Sequence, residues 1–434
     1  MDIRANDTGE RLQRPNVSGP NGDVGYLQWF VFGLFFIFGG ITSLNDVLVP
    51  KLKELFELNY FQAMLIQTAF FAAYFIVSLP AAALVQRVGY MRGAVVGLLV
   101  MMAGCLLFIP AAKAGLFLAF LGALFVLASG VTLVQVVANP LISMLGDPHT
   151  APSRLTFAQA FNSLGTTVFP WVGATIILGS LATVSAEDLS GPALTAYRAA
   201  ESAVITHAYI GIAAALAVVA MVVWLNRNRM VEEQAPIVGF LRAFNLLKQP
   251  RFAFGALGIF VYVGAEVAVA SLMTNYLMQP DTLGLSSQNA GERLALYWGG
   301  ALVGRFIGAF VMRYIAPWKV LATVSIGTIA LIGMSVFTTG AVSGVALLSV
   351  GLFNAIMFPT IFTLASVNLG RRAAEGSGII CMAIVGGAII PPITGLVADA
   401  ASLRAALIVP VVCYAVIALF AASVRSQANP LSEG

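Results

Sequence analysis

NRNRMVEEQAPIVGFLRAFNLLKQPR, residues 226–251, is the one long polar stretch between the first hydrophobic run and the last. On either side of it the chain repeats one pattern, an apolar run closed by a few polar residues. Six runs precede it, at 27–49, 61–83, 93–112, 115–145, 156–180 and 203–225, and six follow, at 252–278, 294–315, 319–338, 343–368, 375–398 and 404–424. A helix rising about 1.5 Å per residue needs roughly 20 apolar residues to cross the hydrocarbon core. The chain is therefore expected to be an all-α membrane protein of twelve transmembrane helices. The polar stretch splits it into an N-terminal tail (1–26), a first six-helix bundle (27–225), a linker (226–251), a second bundle (252–424) and a C-terminal tail (425–434). Composition supports the class: 59% of residues are hydrophobic and 10% charged, against about 25% charged in soluble domains, and mean hydropathy is +0.91. A lipid-facing β-barrel would alternate over segments of about ten residues. These runs do not, so helices are the remaining way to span. Pro140 and Pro359 predict kinks in the fourth and tenth spans.

The basic residues orient the chain. With both tails on one side, sixteen Lys and Arg collect there, six fall opposite, and Arg305 alone lies within a span. The positive-inside rule then places both termini in the cytosol, and the bacterial inner membrane is the expected location. The net charge of +4 is scattered between apolar runs without the clustering that nucleic acid requires, so the expected partners are membrane lipids and a small solute. The N-terminal tail carries no apolar core of a cleaved signal, and the first run is expected to stay in the membrane. Cys105, Cys381 and Cys413 sit in apolar runs at no metal-ligand spacing and read as free thiols. His149, in a loop, and His207, at a helix entrance, are the only histidines. No nucleophile or metal constellation can be built from them, so the chain is expected to be neither an enzyme nor a holder of a cofactor or metal.

The halves echo each other at one constant offset: Gly33 with Gly255, Phe38 with Phe260, Gly165 with Gly387, Pro170 with Pro392, and Gly173 with Gly395. This predicts two pseudo-symmetric bundles with a solute site near the midplane between them.

Polar residues within the spans mark the candidate site. Asp46, in ITSLNDVLVP (41–50), follows a run without charge, and a charge near the bilayer centre costs roughly 2.5 to 3.5 kcal/mol. It is either an acid at a helix end or a titrating, ligand-binding group on a transport path. Glu266 lies within a turn of the position equivalent to Asp46 and either titrates or pairs with Arg305. Gln135 and Asn139 are spaced i, i+4, and Gln159 and Asn162 are spaced i, i+3, so each pair projects from one helix face. Amides both donate and accept, which suits an uncharged polyhydroxylated ligand. The alternative is interhelical contact, worth about 0.6 kcal/mol each. Phe157, Phe161 and Tyr262 lie near the same depth, and Asn275 and Asn354 are further cavity candidates.

The strings LNDVLVP, LIQTAFFAAYF, VANPLISMLG and LTFAQAFNSLGT resemble the L-fucose:proton symporter branch of the major facilitator superfamily. YVGAEV, YWGGALVGRFIGA, GLFNAIMFPTIFTLA and GSGIICMAIVGGAIIPP are more similar still to its glucose/galactose transporter subgroup. The resemblance covers nearly every span. It implies cation-coupled hexose uptake by alternating access in a monomer, with a proton as the coupling ion and Asp46 at the position of the proton-coupling carboxylate. It places Gln159 and Asn162 at positions linked to sugar binding. Gln135 departs from the pattern, standing where the fucose symporter has a glutamate. It cannot titrate and is assigned to sugar hydroxyls. Gln86 stands where an aspartate is usual in the superfamily. Sodium is the alternative coupling ion, since Asn45 and Asp46 offer oxygen ligands.

Overall fold

Residues 24–55, 60–114, 116–177, 191–227 and 240–425 are described by the computed structural model. Before the linker each expected span is one helix: α1 (Val24–Leu55), α2 (Tyr60–Val88), α3 (Tyr90–Ala114), α4 (Phe117–Met144), α5 (Ala151–Ile177) and α6 (Gly191–Leu225). A 3₁₀ segment, Phe240–Lys248, occupies the described part of the linker and packs on α2 and α7. Three further single helices follow, α7 (Pro250–Met278) with α8 (Ser287–Val311) and α9 (Pro317–Phe337). The last three spans are each built from two pieces: α10 (Gly340–Asn354) with α11 (Met357–Ala365), α12 (Ala373–Ala383) with α13 (Gly386–Ala400), and α14 (Leu403–Ala406) with α15 (Ile408–Ser423). Among the described residues nine spans are long and apolar enough to cross a membrane, and shorter apolar stretches run over Leu27–Ile41 and Tyr209–Leu225. All three cysteines are free and buried.

Proline explains two of the breaks. Pro359 is the third residue of α11 and Pro410 the third of α15. A proline there fits the first turn of a new helix and removes the N–H that would have carried the old one through. The expected kink at Pro359 is thus a full break at Ala355 and Ile356, while α4 continues through Pro140 to Met144. The α12–α13 break at Ile384 and Val385 is held by short-range bonds from Ile384 N–H to Cys381 and from Val385 N–H to Met382. It precedes the adjacent Gly386 and Gly387.

Packing repeats with the sequence. In the first half α1 lies on α5, α2 on α4, and α3 on α4 and α6; in the second α7 lies on α13, α8 on α10, and α9 on α10 and α15. The scheme is one arrangement shifted by six spans, and across the interface α2 meets α12 as α8 meets α5. The duplication legible in the sequence is therefore physical. A Cβ on Gly165 would meet the Phe36 carbonyl on α1, and a Cβ on Gly386 would meet the Phe260 carbonyl on α7. Phe260 is the counterpart of Phe38, and Gly387 that of Gly165. Each half uses glycine to bring two backbones into contact where apolar burial gives helices no advantage over lipid.

Gly386→Val should therefore lower the melting temperature of the detergent-purified protein, since overpacking typically costs about 1 to 3 kcal/mol. Gly33→Ala, whose Cβ meets nothing within 4 Å, should leave it unchanged or raise it. Equal melting temperatures for the two variants would contradict the close approach.

Candidate functional site

Helices alternate in direction, so the α2–α3, α4–α5, α8–α9 and α11–α12 connections share one end of the molecule. That end carries Arg87, Arg92, Arg154, Arg313, Lys319 and Arg372 and is called the basic end below. Between it and mid-depth lies a set of polar side chains facing across the two halves.

In the second half a hydrogen-bonded ring joins α7, α8 and α10. Tyr262 and Glu266 lie one turn apart on α7. The Tyr262 hydroxyl is 2.7 Å from Glu266 Oε1 and 3.1 Å from the Asn354 carbonyl. Asn354 Nδ2 donates to the Tyr297 hydroxyl at 2.8 Å, and that hydroxyl donates to the Glu266 carbonyl at 3.4 Å. Asn354 ends α10, and the break beyond it leaves its carbonyl free to meet Tyr262. Tyr262, Tyr297 and Asn354 are buried, while Glu266 is half-buried.

Arg305 sits on α8 about 9 Å inside its basic end, six residues at 1.5 Å each. Its Nε donates at 3.3 Å to the carbonyl of Ala355. That carbonyl would ordinarily accept from residue 359, and proline has no N–H to give. Arg305 Nη1 crosses to α5, where it donates to the Gln159 carbonyl at 3.1 Å and to the Ser163 hydroxyl. Three neutral oxygens hold this guanidinium, and no ion pair forms with it among the described residues. The expected alternative of a Glu266–Arg305 pair is not formed, although the Arg305 charge acts on Glu266.

In the first half Gln135 Nε2 donates to the Tyr74 hydroxyl at 2.9 Å, linking α4 to α2. Asn162 Nδ2 reaches the Phe35 carbonyl on α1 at 3.3 Å. Gln159 is buried beside it, its carbonyl engaged by Arg305. Asn139 is fully buried, and its side chain faces Cys381 of α12, so it stands in the interface between halves. Phe161 stacks on Phe32 with centroids 5.2 Å apart, and Phe157 meets Phe306 of α8 edge-on at 5.9 Å. Asn275 is exposed near the opposite end of α7. Asn45 and Asp46 lie on α1, and their side chains fall outside the described residues.

The basic end is tied shut by a second polar group. Gln86 of α2 donates to Glu375 Oε1 at 2.9 Å, and Arg372 donates to Glu375 Oε2 through Nε and Nη2 at 3.0 and 2.7 Å. Ser153 of α5 donates to the Ala309 carbonyl of α8 at 2.5 Å. An aspartate at position 86 would set two carboxylates against each other, and glutamine supplies a donor instead.

Sequence reasoning locates Glu266, Tyr262, Gln135, Gln159, Asn162 and Asn354 by their polarity within apolar runs. It misses Tyr74, Tyr297, Ser163 and Glu375. Tyrosine and serine are tolerated anywhere in a span, and only the chain that faces them marks them out. Glu375 opens the eleventh run, where an acid at a helix start is ordinary.

The chain matches the model of the Major Facilitator Superfamily over residues 30–383. It is 50% identical over 389 residues to the glucose/galactose transporter of Brucella abortus, covering 89% of this chain and 91% of the relative. It is 34% identical over 405 residues to the L-fucose-proton symporter of Escherichia coli, covering 91% and 92%. The crystal structure of FucP, a superfamily transporter in the outward conformation, superposes with a TM-score of 0.84 at 32% identity, over 92% of this chain and 98% of that one. The helix order, the shifted packing scheme and these matches agree: the chain belongs to the Major Facilitator Superfamily, as an integral membrane transporter and not an enzyme.

Proposed function

We propose that this protein is a proton-coupled sugar symporter that carries a hexose of the glucose and galactose type across the bacterial inner membrane by alternating access. The observation that carries the reading is the band of amides and hydroxyls facing across the two halves, in a chain half identical to a glucose/galactose transporter. Hydroxyl-rich, uncharged solutes need donors and acceptors in equal supply, and Gln135, Gln159, Asn162, Asn354 and Tyr262 offer both.

The moving bodies are the bundles 27–225 and 252–424, joined by the cytosolic linker 226–251, with tails 1–26 and 425–434 also cytosolic and the monomer as the working unit. The described hydrogen bonds between the halves run from mid-depth to the basic end and support a conformation closed toward the cytosol. Sugar binds between Gln135, Gln159 and Asn162 of the first half and Tyr262 and Asn354 of the second. Asn45 and Asn275 are assigned to the same sugar path, and Asn139 becomes reachable as α4 and α12 part. Asp46 takes a proton from the outer side. Neutralised, it no longer opposes closure of the loaded site, because a carboxylate is costly to bury unpaired. Rocking of the bundles opens the basic end, and loss of the proton to the cytosol resets the carrier.

Radiolabelled glucose and galactose uptake into proteoliposomes tests the reading, driven first by a pH gradient without sodium and then by a sodium gradient at fixed pH. Accumulation on protons alone is expected. Dependence on sodium would reassign Asn45 and Asp46 as cation ligands, and the absence of both uptake and exchange for any hexose would refute sugar transport.

Asp46→Asn should abolish accumulation while leaving exchange between labelled and unlabelled sugar pools, because exchange requires no change of protonation. Uphill uptake by this variant would sink the assignment of Asp46. Gln135→Ala should raise the KM for exchange about 5-fold with little change in maximal rate, the effect of losing one hydrogen bond worth roughly 1 kcal/mol. An unchanged KM would remove Gln135 from the sugar site.

A further inference from the structure

Proton counting in the α7–α8–α10 ring leaves one hydrogen missing. The Tyr262 hydroxyl carries a single proton and has two acceptors, Glu266 Oε1 at 2.7 Å and the Asn354 carbonyl at 3.1 Å. One proton cannot serve both well. A protonated Glu266 supplies the second: the carboxyl donates to the Tyr262 oxygen, Tyr262 donates to the Asn354 carbonyl, Asn354 Nδ2 donates to Tyr297, and Tyr297 donates to the Glu266 carbonyl. Each of these four bonds then has its own hydrogen and the ring closes, the second hydrogen of Asn354 Nδ2 lying outside it. Arg305 agrees with this count. A guanidinium near an ionised carboxylate inside a protein should form the strong bidentate pair, yet Arg305 spends its donors on neutral oxygens of α5 and of the Pro359 break.

We propose that Glu266 carries a proton in this conformation and that Arg305 ties its loss to the parting of the two bundles. While Glu266 is neutral, Arg305 extends across the interface to Ser163 and the Gln159 carbonyl, bracing α8 against α5. Once Glu266 is ionised, the carboxylate draws the guanidinium back, and the brace to α5 is released. The Ala355 carbonyl, freed by Pro359, holds the Nε beside the α10 break, so the other arm of the fork can exchange α5 for Glu266. Arg305 thus acts through Glu266 and α5 as a positioning residue. The groups facing Glu266 are Tyr262 on its own helix, Tyr297 and Arg305 from α8, Tyr414 from α15 and the uncharged Asn354. Glu266 is the one carboxyl of this set and the group whose charge the proposal lets change. The proposal deepens the symport reading and rests on it for its role in transport. Its structural content can be tested without any sugar.

Spin labels at Arg92→Cys and Tyr314→Cys, both exposed positions at the basic end of opposite halves, would report the distance between bundles. The three native cysteines are buried. Measurements in an Asp46→Asn background remove the acid of α1, Glu375 of the seal is common to every protein compared, and pulsed electron resonance would follow the protein from about pH 5 to about pH 9. A longer distance is expected to gain population as pH rises. Glu266→Gln, whose amide can donate to Tyr262 in place of the acid, should hold the short distance at every pH. Arg305→Met should show the longer distance at every pH. A pH shift that survives in Glu266→Gln, or its absence in the parent, overturns the proposal. Exchange assays between labelled and unlabelled hexose pools on the same proteins separate the two readings: a shift without hexose exchange refutes the sugar assignment and leaves the switch standing, and exchange without a shift does the reverse.

Discussion

A backbone carbonyl inside a membrane protein must find a donor within the protein, because lipid offers none. Most of this fold follows from how that demand is met. Single helices meet it along most of their length in the first six spans, with one helical donor missing at each of Pro80, Pro110 and Pro140. In the tenth span Pro359 leaves the Ala355 carbonyl without its helical donor, and an arginine from a neighbouring helix supplies one. The cost of placing a cation there is offset because the cation also braces α5. One missing N–H therefore ties together a helix break, an embedded charge and the contact between the halves.

The two halves use the same packing but different chemistry. Glycines at equivalent crossings let α5 approach α1 and α13 approach α7, so both bundles have the same skeleton. Upon it the first half places amides, Gln135, Gln159 and Asn162, with no carboxylate among their described partners. The second half places an acid among tyrosines, with an arginine nearby. Duplication supplied the scaffold, and the embedded polar groups diverged upon it.

Closure at the basic end relies on polar contacts at two depths. Near the surface, Gln86, Glu375 and Arg372 form a charge-assisted cluster. Ser153 ties α5 to α8 at a similar level, and deeper Arg305 joins α5 to α8 and the break beyond it. Hydrogen bonds to carbonyls are directional and individually modest in net energy, so such a seal can be exchanged for another of similar energy. A large apolar seal could not be broken as readily, and a transporter has to break it in every cycle.

The hydrophobic runs alone determined an all-α membrane protein and gave the expectation of twelve spans, the polar stretch 226–251 gave the expected division between halves, and the paired glycines and prolines at a constant offset pointed to the repeated packing scheme. Those properties depend on local composition and on order along the chain, which the hydrocarbon core reads directly. The embedded polar residues were equally visible, because an amide or acid in an apolar run stands out whatever it touches. Their partners were not. Arg305 was conspicuous as the sole cation within a span, and Glu266 was the natural candidate to face it. Only the tertiary structure showed its bonds to Ser163, Gln159 and Ala355, because they join residues separated by 142, 146 and 50 positions and depend on how helices rotate about their axes. Likewise the exchange of Asp for Gln at position 86 was a bare departure from a pattern until folding set Glu375 opposite it. Span and topology are set by how each segment partitions into the membrane. Which polar group meets which is set by packing between segments, and periodicity alone carries no record of that.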